Sequence, residues 1–191
     1  LFRKAGIVRC FSREELTTVG CIFSCLPPLS NTELSRFAIV THAGGPGVML
    51  TDALSKGGLQ VPQFTGEAAE ELKSKLFPGA SVANPIDILA TGTPEQLATA
   101  IDYCENRFDE VDAIMVIFGT PGLVKLFETY DVLHKKILES KKPIFPILPS
   151  LHTAGPEVAE FLKKGHVNFS DEVTLAVSLS RIISTPNPAR P

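Results

Sequence analysis

Two kinds of apolar pattern alternate along the chain. In one, short runs are almost unbroken; in the other, apolar residues recur every three or four positions. The unbroken runs are 37–41, 112–118 and 143–148, of a length and composition suited to strands covered on both faces. Residues 59–62 and 166–169 are shorter candidates of the same kind. The helical pattern fills the gaps between them. Ser12 with Glu15 forms a capping-box start for a helix to about Cys25, ended by Leu26-Pro27-Pro28. Further helices are expected at 47–56, closed by Gly57-Gly58, and at 68–76, begun by Thr65 or Gly66 and stopped by Pro78-Gly79. Others are expected from Thr93-Pro94-Glu95 to about Asn106, over 123–139, over 156–164, and from Ser170-Asp171-Glu172 to about Ser184.

Strand and helix signals in alternation predict an α/β layered fold with a parallel sheet. Five strands, each followed by a helix, match a flavodoxin-like, doubly wound, three-layer sheet of order 2-1-3-4-5. A helical connector over 1–34 precedes this domain of 35–184, with a proline-rich tail at 185–191. Within the connector, 29–35 reads as a polar linker. Residues 1–9 read as the last turn of a helix, a stop at Gly6 and a short strand, as in a piece of a longer chain. Pro146 inside an apolar run calls for an edge position or an irregularity there.

In such sheets ligands bind beyond the carboxyl ends of the strands. Three loops are expected to meet there: 42–47, 84–87 and 119–122. The first, His42-Ala43-Gly44-Gly45-Pro46-Gly47-Val48, leads from the first strand into a helix. Gly44 and Gly45 leave room for something to approach the backbone. Pro46 suits a first helical turn, where its missing N–H costs nothing. A helix N-terminus held at a sheet's carboxyl edge is an anion site in waiting, although many glycine-rich turns only reverse the chain. The loop has neither the Lys-Ser/Thr of a Walker A motif nor the G-x-G-x-x-G spacing of a dinucleotide fold.

Composition narrows the field. Hydrophobic residues make up 44% of 191, and the net charge is −3, which offers no basic field to nucleic acid or an anionic membrane. No apolar run is long enough to span a bilayer. Cys10, Cys21, Cys25 and Cys104 show no zinc spacing and read as reduced thiols of a cytoplasmic protein. No pair of histidines has metal-ligand spacing. His42 suits an anion contact, a proton transfer or a bond to a neighbouring carbonyl; His152 reads as a solvated loop residue, His134 as surface and His166 as structural. Asp87, after Asn84-Pro85-Ile86, suits orienting a histidine or a phosphate-bound water, or capping a turn. Asp52 reads as a core polar contact. No serine or cysteine sits in an activated turn, and no aromatic pair brackets a flavin-sized site.

Ile39-Val40-Thr41-His42-Ala43-Gly44-Gly45-Pro46-Gly47-Val48-Met49-Leu50-Thr51-Asp52-Ala53, Gly58-Leu59 and Asn84-Pro85-Ile86-Asp87 together resemble the NDP-forming acyl-CoA synthetases, relatives of succinyl-CoA synthetase. The opening Phe2-Arg3-Lys4-Ala5-Gly6-Ile7-Val8-Arg9 is also similar to a segment of that family. The resemblance implies a modular ligase with a CoA-binding domain, two flavodoxin-like domains and an ATP-grasp module or subunit. It turns over acyl-CoA, ADP and phosphate by way of a phosphohistidine, with Mg as cofactor and an oligomer possible. It places this chain at the second flavodoxin-like domain, with the phosphohistidine upstream of Leu1, so that no catalytic residue and no cofactor belong to this chain itself. It assigns phosphate binding to His42, Gly44, Gly45, Gly47 and Val48, with Asn84 and Asp87 in support. The family commonly has Asn where this chain has His42, and a glycine pair near 150–155. Some relatives are regulatory or assembly domains without ligase activity, for example in acetyltransferase fusions, and that alternative stands beside the ligase.

Overall fold

A computed structural model describes residues 1–26, 34–120, 122 and 124–186. Of the linker and tail expected from sequence, 29–33 and 187–191 lie outside the described residues, as do Pro121 and Leu123. After a 3-10 turn at Arg3–Ala5 the elements are α1 (Arg13–Cys25), β1 (Phe37–Thr41), α2 (Gly44–Lys56), α3 (Glu67–Lys75), β2 (Ile86–Asp87) and α4 (Pro94–Asn106). β3 (Ala113–Ile117), α5 (Phe127–Glu139), β4 (Ile144–Ile147), α6 (Gly155–Lys163) and α7 (Glu172–Ile183) complete them. The strands run parallel in the order β2-β1-β3-β4.

Alternate residues of each strand face opposite sides, and both sides are apolar. Ala38, Val40, Ile114 and Val116 pack with α3, α4, α5 and α6. Phe37, Ile39, Met115, Ile117, Phe145 and Ile147 pack with α1, α2 and α7. This double cover is why the strand runs are apolar at every position rather than at every second one. Caps follow the sequence closely. The Ser12 hydroxyl accepts from the Glu15 N–H, Thr93 and Gln96 close a capping box, and Asp171 caps α7. Pro146 lies in the edge strand β4, and its carbonyl accepts from Phe169 on the outer side. Its missing N–H therefore faces away from β3, where a proline is tolerated.

Several expectations need correction. The sheet has four strands, not five. Residues 59–62 give only a single bridge, Gln60 to Arg36, and 166–169 only one, Phe169 to Ile147. The segment 84–87, read as a loop, contributes β2 instead. No strand forms at 7–9, although Gly6 does stop the opening turn with a left-handed φ of 73°. α2 starts at Gly44, three residues early, and α5 starts only at Phe127.

The outer edge of β1 explains why β2 displaces the expected strand. The Phe37 N–H donates to Gln60 at one end, and Ile86–Asp87 pair with Val40 and Thr41 at the other. Between them, the side chain of Asn84 takes the place of a strand backbone. Its Oδ1 accepts from the Ile39 N–H at 2.9 Å. Its Nδ2 donates to the carbonyls of Phe37 at 3.0 Å and Pro62 at 2.9 Å. Asn84 is 1% exposed and has a φ of 67°, a left-handed conformation that asparagine accepts more readily than most residues. Replacing it by alanine leaves buried backbone groups without partners, each at about 1–3 kcal/mol. Asn84→Ala is expected to lower the stability measured by urea unfolding by about 3 kcal/mol or more. A loss below about 1 kcal/mol would mean that the edge repairs itself.

Candidate functional site

The segment that completes the β1 edge also seats the start of α2. Gly47 is buried, and a β-carbon there would stand 3.2 Å from Thr41 Cγ2 and 3.3 Å from Pro85 Cβ. A β-carbon at Gly44 would stand 3.3 Å from Asp87 Oδ2. Pro85 and Asp87 thus press directly on the first turn of the helix. Thr41, fully buried at the end of β1, shapes the entry from the other side. Its hydroxyl donates to the Ala43 carbonyl at 2.9 Å and accepts from the Ala43 N–H at 3.1 Å.

This geometry decides which amides are available. The cap position Ala43 has no side chain to bond the helix, and its own N–H is held by Thr41. Pro46 has no N–H. By the i→i−4 pattern of α2, Gly47 donates to Ala43, and Val48 donates to Gly44. The open donors are therefore Gly44 and Gly45, both solvent-exposed. Of the expected phosphate ligands, Gly47 serves close packing and Val48 belongs to the helix interior. The helix dipole reinforces the two free amides, at about 0.3–1 kcal/mol for an anion there and up to about 2 when partly buried.

His42 stands beside them. Its Nδ1 lies 3.4 Å from the Ile117 carbonyl, and its ring stacks on Phe118 with centroids 4.6 Å apart. A carbonyl can only accept, so Nδ1 carries the proton and Nε2 is the acceptor in the neutral ring. Burial holds the imidazole below its ordinary value, with the Ile117 carbonyl and the charge of Asp87 opposing only in part. Asp87 itself accepts from the Leu89 N–H at 2.9 Å, which makes it a turn cap as well as a neighbour of the helix start. The third loop joins through Ser150, whose hydroxyl accepts from the Thr120 N–H at 2.8 Å. A side chain at Gly119 would disturb this bond, since its β-carbon would come within 2.7 Å of the Ser150 hydroxyl, and would sit against the His42 ring at 3.7 Å.

His42, Gly44, Gly45 and Asp87 thus gather at the carboxyl ends of β1 and β2, with Asn84 buried beneath them. Thr41, Phe118 and Ser150 belong to the same constellation and were not singled out from sequence. Only the threonine carried a signal, as a hydroxyl residue three positions before the first glycine of the turn. His152 is exposed, as expected. His134 is not a surface residue: it is half-buried and bonded to His166. Burial pushes the Cys25 thiol up to about 12 and raises Cys104 too, so neither is an activated nucleophile. Among the described residues no group of three or more potential ligands could hold a metal ion, and no helix is long and apolar enough to cross a membrane.

Comparison with known proteins places this site in context. Residues 37–117 match the family model of the ligase-CoA domain, a span that holds β1, α2 and β2. The alpha subunit of the ADP-forming acetate–CoA ligase II of Pyrococcus furiosus is 35% identical over 87% of this chain and 36% of its own length. An ADP-forming 4-hydroxybutyrate–CoA ligase of Nitrosopumilus maritimus is 28% identical over 88% of this chain and 23% of its own. A solved structure from Pyrococcus horikoshii superposes with a TM-score of 0.81 at 25% identity, over 95% of this chain and 42% of that one. The dinucleotide-forming acetyl-coenzyme A synthetase 1 of Ca. Korarchaeum cryptofilum shares the fold, with a TM-score of 0.79 at 21% identity. The chain spans less than half the length of each of these relatives.

The environment of His42 makes a checkable statement. An NMR titration of its ring protons is expected to give a midpoint below the ordinary value of about 6.5. Asp87→Asn removes a charge that favours the imidazolium and should move the midpoint lower still. A midpoint at or above 6.5 in the unmodified protein would contradict the burial described.

Proposed function

The chain belongs to the family of NDP-forming acyl-CoA synthetases, and we propose that it supplies such an enzyme with the second of its flavodoxin-like ligase domains. The whole enzyme takes acyl-CoA, phosphate and ADP to acid, CoA and ATP, with the phosphoryl group carried on a histidine of another domain. This domain stabilises that group while it is held between domains. We assign CoA, the nucleotide and Mg²⁺ to the other modules.

The observation that carries the reading is the uncapped start of α2, with two free amides at the carboxyl end of β1. A phosphoryl group brings several acceptor oxygens and a negative charge. Gly44 and Gly45 N–H can donate to those oxygens, and donation to an ionised acceptor is roughly twice as strong as between neutral groups. The dipole adds a fixed field that needs no reorganisation when the group arrives. Pro46 keeps the turn helical without adding a donor. Asp87, anionic itself, holds the loop through Leu89 and keeps the phosphoryl group to the open side of the helix end. His42, neutral before the anion arrives, can take up a proton and become a second donor through Nε2.

Gly45 gives a clean test. No heavy atom lies within 4 Å of a β-carbon added there, so a side chain fits the fold but stands in front of the two amides. In the full-length enzyme, Gly45→Leu is expected to lower acyl-CoA-dependent ATP formation by about tenfold or more, with the urea midpoint unchanged or raised. Undiminished turnover would remove the phosphate role from this helix.

A further inference from the structure

At the opposite edge of the sheet lies a pair of histidines that the reading above does not use. His134 is on α5, and His166 lies just after the turn that follows α6; both are half-buried. His134 Nδ1 and His166 Nε2 are 2.6 Å apart. The His166 ring also stacks on Phe161 of α6, with centroids 4.6 Å apart. We propose that this pair is an acid-sensitive latch that holds the outer edge of β4 covered.

The chemistry of the bond sets the switch. An N–H···N bond needs one ring to donate and the other to accept. Two neutral rings satisfy this, and so does one neutral ring with one cation. Two cations leave donor facing donor and charge facing charge. The neighbours do little to relieve that. Lys164, beside His166, pairs with Asp131 of α5 and lies 3.9 Å from Glu160 of α6. Lys141, Lys142 and the neutral thiol of Cys25 line the cavity of about 320 Å³ that His166 borders. Lys142 is turned to the Cys104 and Phe108 carbonyls. Both carboxylates are thus committed to Lys164.

What the latch holds is equally specific. Just beyond His166, the Asn168 side chain accepts from the Leu148 N–H at 2.8 Å and donates to the Leu148 carbonyl at 3.1 Å. The Phe169 N–H donates to Pro146, and the Leu148 N–H also reaches the Phe169 carbonyl, both at 3.0 Å. These contacts cover an edge that would otherwise offer free strand groups. Burial, then His134, then Lys164 hold His166 below its ordinary value, so the released state takes up a proton first. The stabilisation is complete above about pH 6.5 and is lost as the pH falls below it.

The test is amide hydrogen exchange and imidazole NMR on the full chain at pH 7.5 and 5.5. Protection at Leu148 and Phe169, corrected for intrinsic exchange, is expected to fall about tenfold for each pH unit between the released and latched titrations. Protection in β1 and β3 should hold, and the His166 ring should titrate below its ordinary value. His166→Asn should make the Leu148 and Phe169 protection insensitive to pH. A His166 midpoint at or above about 6.5, or equal protection at the two pH values, overturns the latch without any variant. Neither outcome bears on the phosphate role of α2.

Discussion

The structure depends on how the outer edge of β1 is satisfied. A buried backbone N–H or carbonyl without a partner costs about as much as a lost hydrogen bond, so a central strand cannot leave one side bare. This chain meets the requirement in three pieces: Gln60, the Asn84 amide, and Ile86–Asp87. The middle piece is a side chain, and it forces the rest. With Asn84 turned inward, Pro85 lands on Gly47 and Asp87 on Gly44. The start of α2 is thereby fixed in height and direction by the same contacts that close the sheet.

That coupling separates the roles of the three glycines in the turn. Gly47 gives clearance to Pro85 and Thr41. Gly44 gives clearance to Asp87 and keeps its amide open. A β-carbon at Gly45 would meet nothing within 4 Å, so the space before it is open. The open end of the helix is thus a by-product of tight packing at Gly44 and Gly47 and of open space at Gly45. The absence of a capping side chain at Ala43 fits the same division. A helix start of this kind, left with its N–H groups unpaired, is completed by a ligand or by water.

The architecture was legible where one physical signal dominated. Unbroken apolar runs marked the buried strands, Ser12, Thr93 and Asp171 marked helix starts, and Pro146 marked an edge. The gathering of 42–47, 84–87 and 119–120 at one end of the sheet followed from the parallel topology. The misses share a cause: each depended on a partner distant in sequence. Residues 59–62 look like a strand, but Asn84 takes most of the place they would fill, 45 positions away from Ile39. Ile86–Asp87 is too short to stand out as a strand until paired with β1. Gly44 and Gly45 read as turn residues because glycine is a poor helix former, yet both belong to α2, whose start is fixed by Asp87 against Gly44 and Pro85 against Gly47. His134, followed by Lys135 and Lys136, looks exposed, whereas its ring meets His166, 32 positions away.

The central claim is that the α2 start presents two amides, and only two, to an anion. The most direct measurement is a ¹⁵N-resolved NMR titration of the protein with inorganic phosphate, run against chloride at equal ionic strength. The account predicts saturable shifts at the Gly44 and Gly45 amides and at the His42 ring, with Gly47 and Val48 following only weakly. Shifts led by Gly47 and Val48, or a phosphate response no different from that of chloride, would contradict it.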